Sequence, residues 1–121
     1  MKRIYVAGKY SADNVMDVLG NIRSGIAMSR ELLLLGCAPY CPWLDFLYVI
    51  TADLMDFDKM DKTIFQRASM EWVGCCDAMI VISGADTSRG VRAEIERARE
   101  LNIPVYYEIS DMKNAIQDHE A

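Results

Sequence analysis

Glu94 is the residue whose type and position could best support chemistry. It lies in the stretch T-S-R-G-V-R-A-E-I-E-R-A-R-E, residues 87–100, which predicts a loop running into a helix. Each helical residue advances about 100° around the axis, so Glu94 falls roughly 60° from Val91, within the apolar arc. Glu96 and Glu100 fall on the opposite side, where solvent is expected. Glu94 is therefore predicted to lie at the edge of the core.

Two interpretations of this carboxyl group stay open on helical geometry alone. A carboxylate is costly to bury without a partner, so its placement at the core edge could indicate a catalytic group. An acidic residue in the first turn of a helix is also favoured by the helix dipole, which needs no function at all.

The residues just before this helix could bind an anion. Thr87, Ser88, Arg89 and Gly90 would combine backbone N–H groups, hydroxyls and a guanidinium at a helix N-terminus. Ser88 could equally be an ordinary helix cap. The first strand is not followed by G-x-G-x-x-G, and there is no P-loop lysine motif, so standard dinucleotide and ATP sites lack support.

Composition limits the classes of function. The 121 residues suit one domain, and 52% hydrophobic with 26% charged residues is ordinary for a globular protein. The formal net charge of −5 argues against binding long nucleic acid through its phosphates, although a small anionic ligand remains possible. No apolar run is long enough for a membrane span, and the N-terminus is not a signal peptide, so we expect a cytoplasmic protein with no membrane partner.

The metal-binding residue types do not form a recognisable site. Cys37, Cys41, Cys75 and Cys76 match no common zinc spacing and are expected to be buried free thiols. The single histidine, His119, is close to the C-terminus, which argues against a histidine-based triad or metal site. Neither a metal nor an organic cofactor is predicted.

Strands and helices are predicted to alternate along the chain. The predicted strands are residues 2–8, 37–42, 77–82 and 104–107, and the predicted helices are residues 21–35 (capped by Asn21), 61–75, 87–100 and 110–117 (capped by Ser110). This order predicts an α/β fold, a Rossmann-like (flavodoxin-like) three-layer sandwich with a four- to five-stranded parallel sheet, formed by residues 1–121 as one domain.

Residues 43–60 contain more apolar side chains than a connection in a small domain needs. An interface with a partner is one explanation, and a buried inserted helix is the other.

Ligands of parallel sheets bind beyond the carboxyl ends of the strands. Five residues besides the segment before Glu94 fall at these ends. They are Gly8, Lys9, Tyr10, Asp45 and Asp86. They are predicted to bind the substrate together with Ser88, Arg89 and Gly90.

Three motifs resemble the nucleoside 2-deoxyribosyltransferase family, which includes the deoxyribonucleoside 5′-monophosphate N-glycosidases. They are I-Y-V-A-G from Ile4, W-x-x-x-C-D-A from Trp72, and S-x-G-x-x-x-E-x-x-x-A from Ser88. The resemblance runs in order from Ile4 to about Val105. Each motif is weak alone, and the three together are moderately specific.

The resemblance implies cleavage or exchange of the N-glycosidic bond of a deoxynucleoside or its monophosphate. Glu94 occupies the position of the family's nucleophile, and Tyr5 that of a tyrosine near it, although Tyr5 could also be an ordinary core residue. Ser88, six residues before Glu94, is typical of the monophosphate glycosidases, and Arg89 next to it suits a phosphate. Lys9 replaces a proline that is common in small relatives and would add a cation there.

Ser69 departs from the family pattern. The family has a catalytic aspartate at this position, on the same helical arc as Phe65 and Trp72, where Trp72 is expected to be a core residue. A serine is a poor general acid at neutral pH. Asp45 and Asp86 are the nearest other candidates for an acid. Without one, the activity would be weak, altered or absent.

Three functions therefore remain open. The first is a nucleotide N-glycosidase or deoxyribosyltransferase with Glu94 as nucleophile. The second is a non-catalytic nucleotide-binding or sensor module of the same fold, and the third is a structural homo-oligomer with a vestigial site. The resemblance also implies a dimer or larger homo-oligomer, in which a neighbouring subunit completes the site.

Overall fold

Strands and helices alternate along the chain in the predicted order βαβ(α)αβαβα. A computed structural model describes residues 1–50, 53 and 59–120. The elements are β1 Arg3–Ala7, α1 Val15–Leu34, β2 Ala38–Tyr40, α2 Phe46–Ile50, α3 Lys62–Val73, β3 Ala78–Val81, α4 Arg89–Glu100, β4 Val105–Tyr106 and α5 Ile109–Glu120. Short 3₁₀ segments, Pro42–Asp45 and Ala85–Thr87, follow β2 and β3.

The four strands form one parallel sheet in the order β2-β1-β3-β4. Tyr5 in β1 is paired with Tyr40 of β2 on one side and with Met79 of β3 on the other. Met79 is in turn paired with Val105 of β4. This arrangement confirms the predicted α/β, Rossmann-like three-layer sandwich. Because all four strands are parallel, their carboxyl ends meet at one edge of the sheet.

Alternate residues of β1 serve two separate cores. Ile4 and Val6 pack on one face of the sheet with Leu32 of α1 and Met112 of α5, which we call the α1/α5 face. Tyr5 and Ala7 pack on the opposite face, the α3/α4 face, whose other members are Val73, Met79, Val81, Ala85, Val91, Ile95 and Ala98. The period of two in a strand makes successive side chains point to opposite faces, so β1 is central to both.

Helix α1 begins six residues earlier than the sequence predicted. Its cap is Asn14, whose side-chain oxygen accepts a 2.9 Å hydrogen bond from the backbone N–H of Asp17. Asn21 lies inside the helix, and its amide donates to the carbonyl of Tyr10 at 3.2 Å. The six residues that the prediction left out include Gly20, which a helix tolerates in its interior at a cost of about 1 kcal/mol.

Trp43 fixes the loop between β1 and α1. Its side chain is 3% exposed, and its indole N–H donates to the carbonyl of Lys9 at 3.0 Å. The ring lies against two glycines, because a Cβ on Gly25 would come within 2.1 Å of it and a Cβ on Gly8 within 2.6 Å. These glycines let the backbones of α1 and β1 approach the ring closely.

Other predictions about single residues were wrong in part. Ser110 lies inside α5, which begins at Ile109, so it is not the cap. Cys37 and Cys41 are buried as expected and form no disulfide, but Cys75 is exposed and Cys76 is half-buried. These two follow α3 in the turn before β3, at the surface.

The apolar stretch after β2 is only partly covered by the described residues. Helix α2 has no buried residue, and Phe46, Leu47, Tyr48 and Ile50 are each 45% exposed or more. The interpretation as a buried helix is therefore wrong for α2, while the rest of the stretch lies outside the described residues apart from Asp53, Lys59 and Met60. Within residues 1–50, 53 and 59–120, no helix is both long and apolar enough to cross a membrane.

Candidate active site

Glu94 lies on the inward side of α4, as the helical geometry predicted. The buried residues of this helix are Val91, Ile95 and Ala98, and Glu94 is partly buried beside them. Glu96 and Glu100 are exposed. The helical spacing therefore correctly predicted that Glu94 lies on the inward side of the helix and that Glu96 and Glu100 face solvent.

Burial makes the carboxyl of Glu94 a weaker acid than an ordinary glutamate. It raises the pKa of this carboxyl group from 4.5 to about 7, because a charge loses solvation away from water. The nearby hydroxyl of Tyr5 acts in the opposite direction, since a hydrogen-bond donor stabilises the carboxylate. Glu94 can therefore exist in both protonation states near neutral pH.

The hydroxyl of Tyr5 is the polar group that makes this site unusual. The side chain of Tyr5 is 0% exposed. Glu94 and Ser69 lie beside its hydroxyl, but neither is placed with the geometry of a hydrogen bond, so among the described residues it is the one fully buried side-chain polar atom without a partner. Glu94 and Ser69 lie close enough to affect its pKa, which is raised mainly by burial and then by the charge of Glu94. A buried hydroxyl without a partner is costly, so a bonded position for it in a ligand complex would recover free energy.

Ser69 reaches the same hydroxyl from α3. Its side chain is 5% exposed, and it lowers the pKa of Tyr5 as a hydrogen-bonding group would. The inward orientation predicted for this position is therefore correct. The residue brings a hydroxyl and no carboxylate to the α3/α4 face.

Three aromatic rings form a column from the buried hydroxyl to the surface. Tyr5 stacks on Tyr40 with ring centroids 5.4 Å apart, and Tyr40 stacks on Trp72 at 5.2 Å. Trp72 is 50% exposed, so its prediction as a core residue was wrong. Solvent reaches the outer ring of the column, Trp72, and not the innermost ring, Tyr5.

Asp45 lies at the carboxyl end of β2, near this column. It ends the 3₁₀ segment and is partly buried, and burial raises its pKa. Its charge, after burial, contributes to raising the pKa of Tyr40 to about 12. Asp45 therefore stands within electrostatic reach of the ring that stacks directly on Tyr5.

The N-terminus of α4 keeps its backbone donors uncapped by side chains. Ser88 is at the cap position, but its hydroxyl makes no capping hydrogen bond, and the first turn contains no acidic residue. Ser88 and Gly90 are partly buried and Arg89 is exposed. Orphan N–H groups with a nearby guanidinium suit an anion. Ser88 is therefore the cap residue by position, as one of the two interpretations held, but its hydroxyl does not bond the N–H groups of the first turn.

The remaining predicted residues lie on other parts of the surface. Lys9 lines a cleft of about 250 Å³ with Trp43, Asn21, Ser24 and the turn after β3, next to Gly8, which packs on Trp43. Tyr10 is exposed, and its carbonyl accepts from Asn21.

Asp86 is exposed on a larger cleft of about 660 Å³, whose other lining residues are Arg92, Ile95, Glu96, Arg99, Glu100 and Tyr107. Glu94 lines neither cleft. The structure thus groups Glu94 with Tyr5, and Asp45 with them through Tyr40. Asp86 lies apart from them on the 660 Å³ cleft, which the outer side of α4 lines. Lys9 lies on the 250 Å³ cleft beside α1.

Tyr40 was missed as a site residue. Its strand is short and interrupted by prolines, so its pairing with β1 could not be fixed from the sequence. The available signal was a second strand tyrosine next to the predicted carboxyl edge. Within the described part of the chain, no three His, Cys, Asp or Glu residues are grouped as metal ligands would be.

Comparison with known proteins gives a family without a known activity. The family model described as Domain of unknown function (DUF7768) matches residues 2–108. No curated protein matches the chain at a significant level.

Proposed function

The chain belongs to the DUF7768 family, and we propose that it is an N-glycosidase or deoxyribosyltransferase acting on the base–sugar bond of a deoxynucleoside 5′-monophosphate. The observation that carries this proposal is the partly buried carboxyl of Glu94 beside the unpartnered hydroxyl of Tyr5. A partly buried carboxylate with one adjacent donor suits attack on a sugar carbon.

The proposed reaction proceeds in two steps. The Glu94 carboxylate attacks C1′ as the bond to the base breaks, which gives a glycosyl-enzyme. Water or a second base then attacks C1′ and releases Glu94. Tyr5 donates a hydrogen bond to the Glu94 oxygen that is not attacking, which orients the carboxylate and provides the partner that its hydroxyl lacks.

The proposed ligand fits the surroundings of Glu94. The uncapped N-terminus of α4, with Ser88 and Arg89, lies one to two turns before Glu94 and would hold the 5′-phosphate. The edge of the aromatic column beside Glu94 would contact the base. The negative charge of the chain as a whole makes these local donors more selective for a small anion than for long nucleic acid.

Base release, measured by chromatography on a panel of nucleosides and their 5′-monophosphates, tests the proposal. We expect Glu94→Gln to lower the rate by at least about a thousandfold, because it removes the nucleophile. Glu96→Gln is the matched control, since Glu96 is exposed on the same helix, and it should keep the wild-type rate. No release from any substrate by the wild-type protein would contradict the proposal.

Ser69 supports a second candidate function. A site with a nucleophile position but a serine, Ser69, at the inward position of α3 could bind a nucleotide without cleaving it. Calorimetric titration with the same panel separates the two candidates. Micromolar binding without base release would favour the binding or sensor module.

A homo-oligomer and a cytoplasmic location belong to the same proposal. The exposed apolar side chains of α2 beside the site would be covered by a second subunit. Light scattering at micromolar concentration checks the assembly, and a monomer there would contradict it.

A further inference from the structure

The loops after β1 and β3 leave the sheet in opposite directions. In the strand order β2-β1-β3-β4, the chain passes from β1 through α1 to β2 on one side, and from β3 through α4 to β4 on the other. Two neighbouring connections that diverge open a crevice at the carboxyl edge, and ligands of parallel sheets bind in such crevices. The cleft of about 250 Å³ lies at this position, because Lys9 follows β1 and residues 83–85 follow β3.

This cleft is separate from the site of Glu94. It opens at the edge of the sheet beside α1, which contributes Asn21 and Ser24 to its lining. Glu94 belongs to α4, packs on the α3/α4 face and lines no part of the cleft. A ligand bound in the cleft therefore does not depend on the proposed glycosidase function.

The backbone around the cleft is held by specific contacts. Trp43 forms its inner wall, and the indole N–H donates to the carbonyl of Lys9 at 3.0 Å. On the other side, the N–H of Ala85 donates to the carbonyl of Ile82 at 3.0 Å and closes a turn. Gly84 in this turn has a φ of 80° and a ψ of −6°, the values of the glycine position in a type II turn. A backbone that is already ordered lowers the entropy cost of binding.

The polar side chains of the cleft suit an anion. They are the ammonium of Lys9, the hydroxyls of Ser24 and Ser83, and the amide of Asn21. None of the described residues that line the cleft is acidic, although the chain has 18 acidic residues and a formal net charge of −5. Lys9 forms no salt bridge with any residue that the structure describes. Its charge is therefore available to a ligand.

We infer that this cleft binds a phosphoryl group, carried by a small phosphate monoester or by free phosphate. Lys9, Ser24 and Ser83 bring donors from three separate segments, which matches the three terminal oxygens of a monoester better than the two oxygens of a carboxylate. The volume of about 250 Å³ lies below the roughly 300–1,000 Å³ of pockets for drug-sized ligands, which favours a small molecule. Trp43 and Ile82 offer apolar surface to its carbon atoms.

The two tryptophans of the chain give each site its own signal. The indole N–H of Trp43 contacts the loop that carries Lys9, whereas Trp72 ends the aromatic column on the α3/α4 face. NMR spectra of isotopically labelled protein resolve both indole N–H resonances, and Trp72→Phe assigns them. We expect inorganic phosphate and phenyl phosphate to shift the Trp43 resonance in a saturable manner, and acetate at the same ionic strength to leave it in place.

Charge variants locate the binding site. Lys9→Gln should weaken binding of both phosphates at least about tenfold, because a charged donor is lost, and Lys9→Arg should keep most of the affinity. Lys2→Gln is the matched control, since Lys2 is exposed at the opposite end of β1, and it should stay within about threefold of wild type. Thermal melting checks that the variants fold.

The outcomes separate the two phosphate sources and the two sites. Tighter binding of phenyl phosphate than of inorganic phosphate would identify a monoester as the ligand, and equal or weaker binding would identify free phosphate. A Trp43 resonance that responds to neither probe, or wild-type affinity in Lys9→Gln, would overturn the inference. Loss of binding in Arg89→Gln in place of Lys9→Gln would also overturn it, because the phosphate would then lie at the N-terminus of α4.

The inference and the proposed function fail independently. Glu94→Gln should bind both phosphates in the cleft with wild-type affinity, because Glu94 does not line it. Binding is measured without turnover, so a wild-type protein that releases no base would contradict the proposed function and leave this inference standing.

Discussion

The two faces of the sheet share a central strand but are built differently. Among the described residues, the α1/α5 face buries apolar side chains and one polar side chain, Ser29, whose hydroxyl donates to the carbonyl of Gly25 at 2.8 Å. The α3/α4 face contains the hydroxyls of Tyr5 and Ser69 and the partly buried carboxyl of Glu94. One face satisfies its polar groups internally, and the other leaves a donor without an acceptor.

This difference indicates which face is built for stability and which for a ligand. Closely packed apolar residues stabilise a fold, whereas a buried polar group without a partner destabilises it. Such a group persists where a functional state can give it a partner, so we take the α3/α4 face as the candidate active site.

The largest expected effect concerns the apolar face. Gly25→Val should lower the free energy of unfolding by about 4 kcal/mol, because the new side chain would displace the buried ring of Trp43. Gly20→Val in the same helix should change it by less than about 0.5 kcal/mol, since a Cβ there meets nothing within 4 Å. Urea denaturation of both variants measures the difference. Equal free energies of unfolding would mean that the packing of Trp43 against Gly25 does not stabilise this face.

The second effect concerns the pH dependence of the α3/α4 face. The pKa of Glu94 is raised from 4.5 to about 7, so the folded state binds this proton more tightly than the unfolded state does. Its contribution to stability is therefore most favourable below pH 4.5 and is lost as the pH rises to about 7. Glu94→Gln should remove this loss.

Urea denaturation from pH 4 to pH 8 gives the measurement. The free energy of unfolding of Glu94→Gln relative to wild type should rise by about 3 kcal/mol across that window. Glu96→Gln, on the exposed side of α4, should show no such rise. A pH-independent difference between Glu94→Gln and wild type would show that Glu94 is not desolvated.

The smallest effect concerns the unpartnered hydroxyl. Tyr5→Phe should raise the free energy of unfolding by about 1 kcal/mol, because it removes a buried donor without an acceptor. Base release should fall at least about tenfold, since the carboxylate loses its orienting donor. Tyr107→Phe is the control, as its hydroxyl is at the surface and accepts from Arg99 at 3.2 Å. A loss of stability in Tyr5→Phe would mean that the hydroxyl is satisfied in the free protein.

The fold was predictable because its signals are local. The apolar runs of β1 and β3, the helical spacing of α4 and the glycine after α1 each depend on neighbouring residues only. Gly36 has a φ of 84°, in the left-handed region that a helix end commonly uses. Errors arose where a local signal was ambiguous, as at the start of α1, or where a strand was short, as at β2.

The site was predictable only in part, for a physical reason. The phase of α4 places Glu94 on the inward side, and that follows from 3.6 residues per turn. The helical arc predicted that Trp72 is buried, but its side chain is 50% exposed. The ring of Tyr40, rather than the core, covers one side of it.

The sequence by itself determined the alternation of elements, the parallel sheet and the inward orientation of Glu94 and Ser69, since these depend on periodicity within single elements. Only the tertiary structure decided that Tyr40 joins Tyr5 to Trp72, that Asp45 lies near this column while Asp86 does not, and that the hydroxyl of Tyr5 has no partner. These features depend on strand register and on the packing of distant segments, which no local pattern encodes.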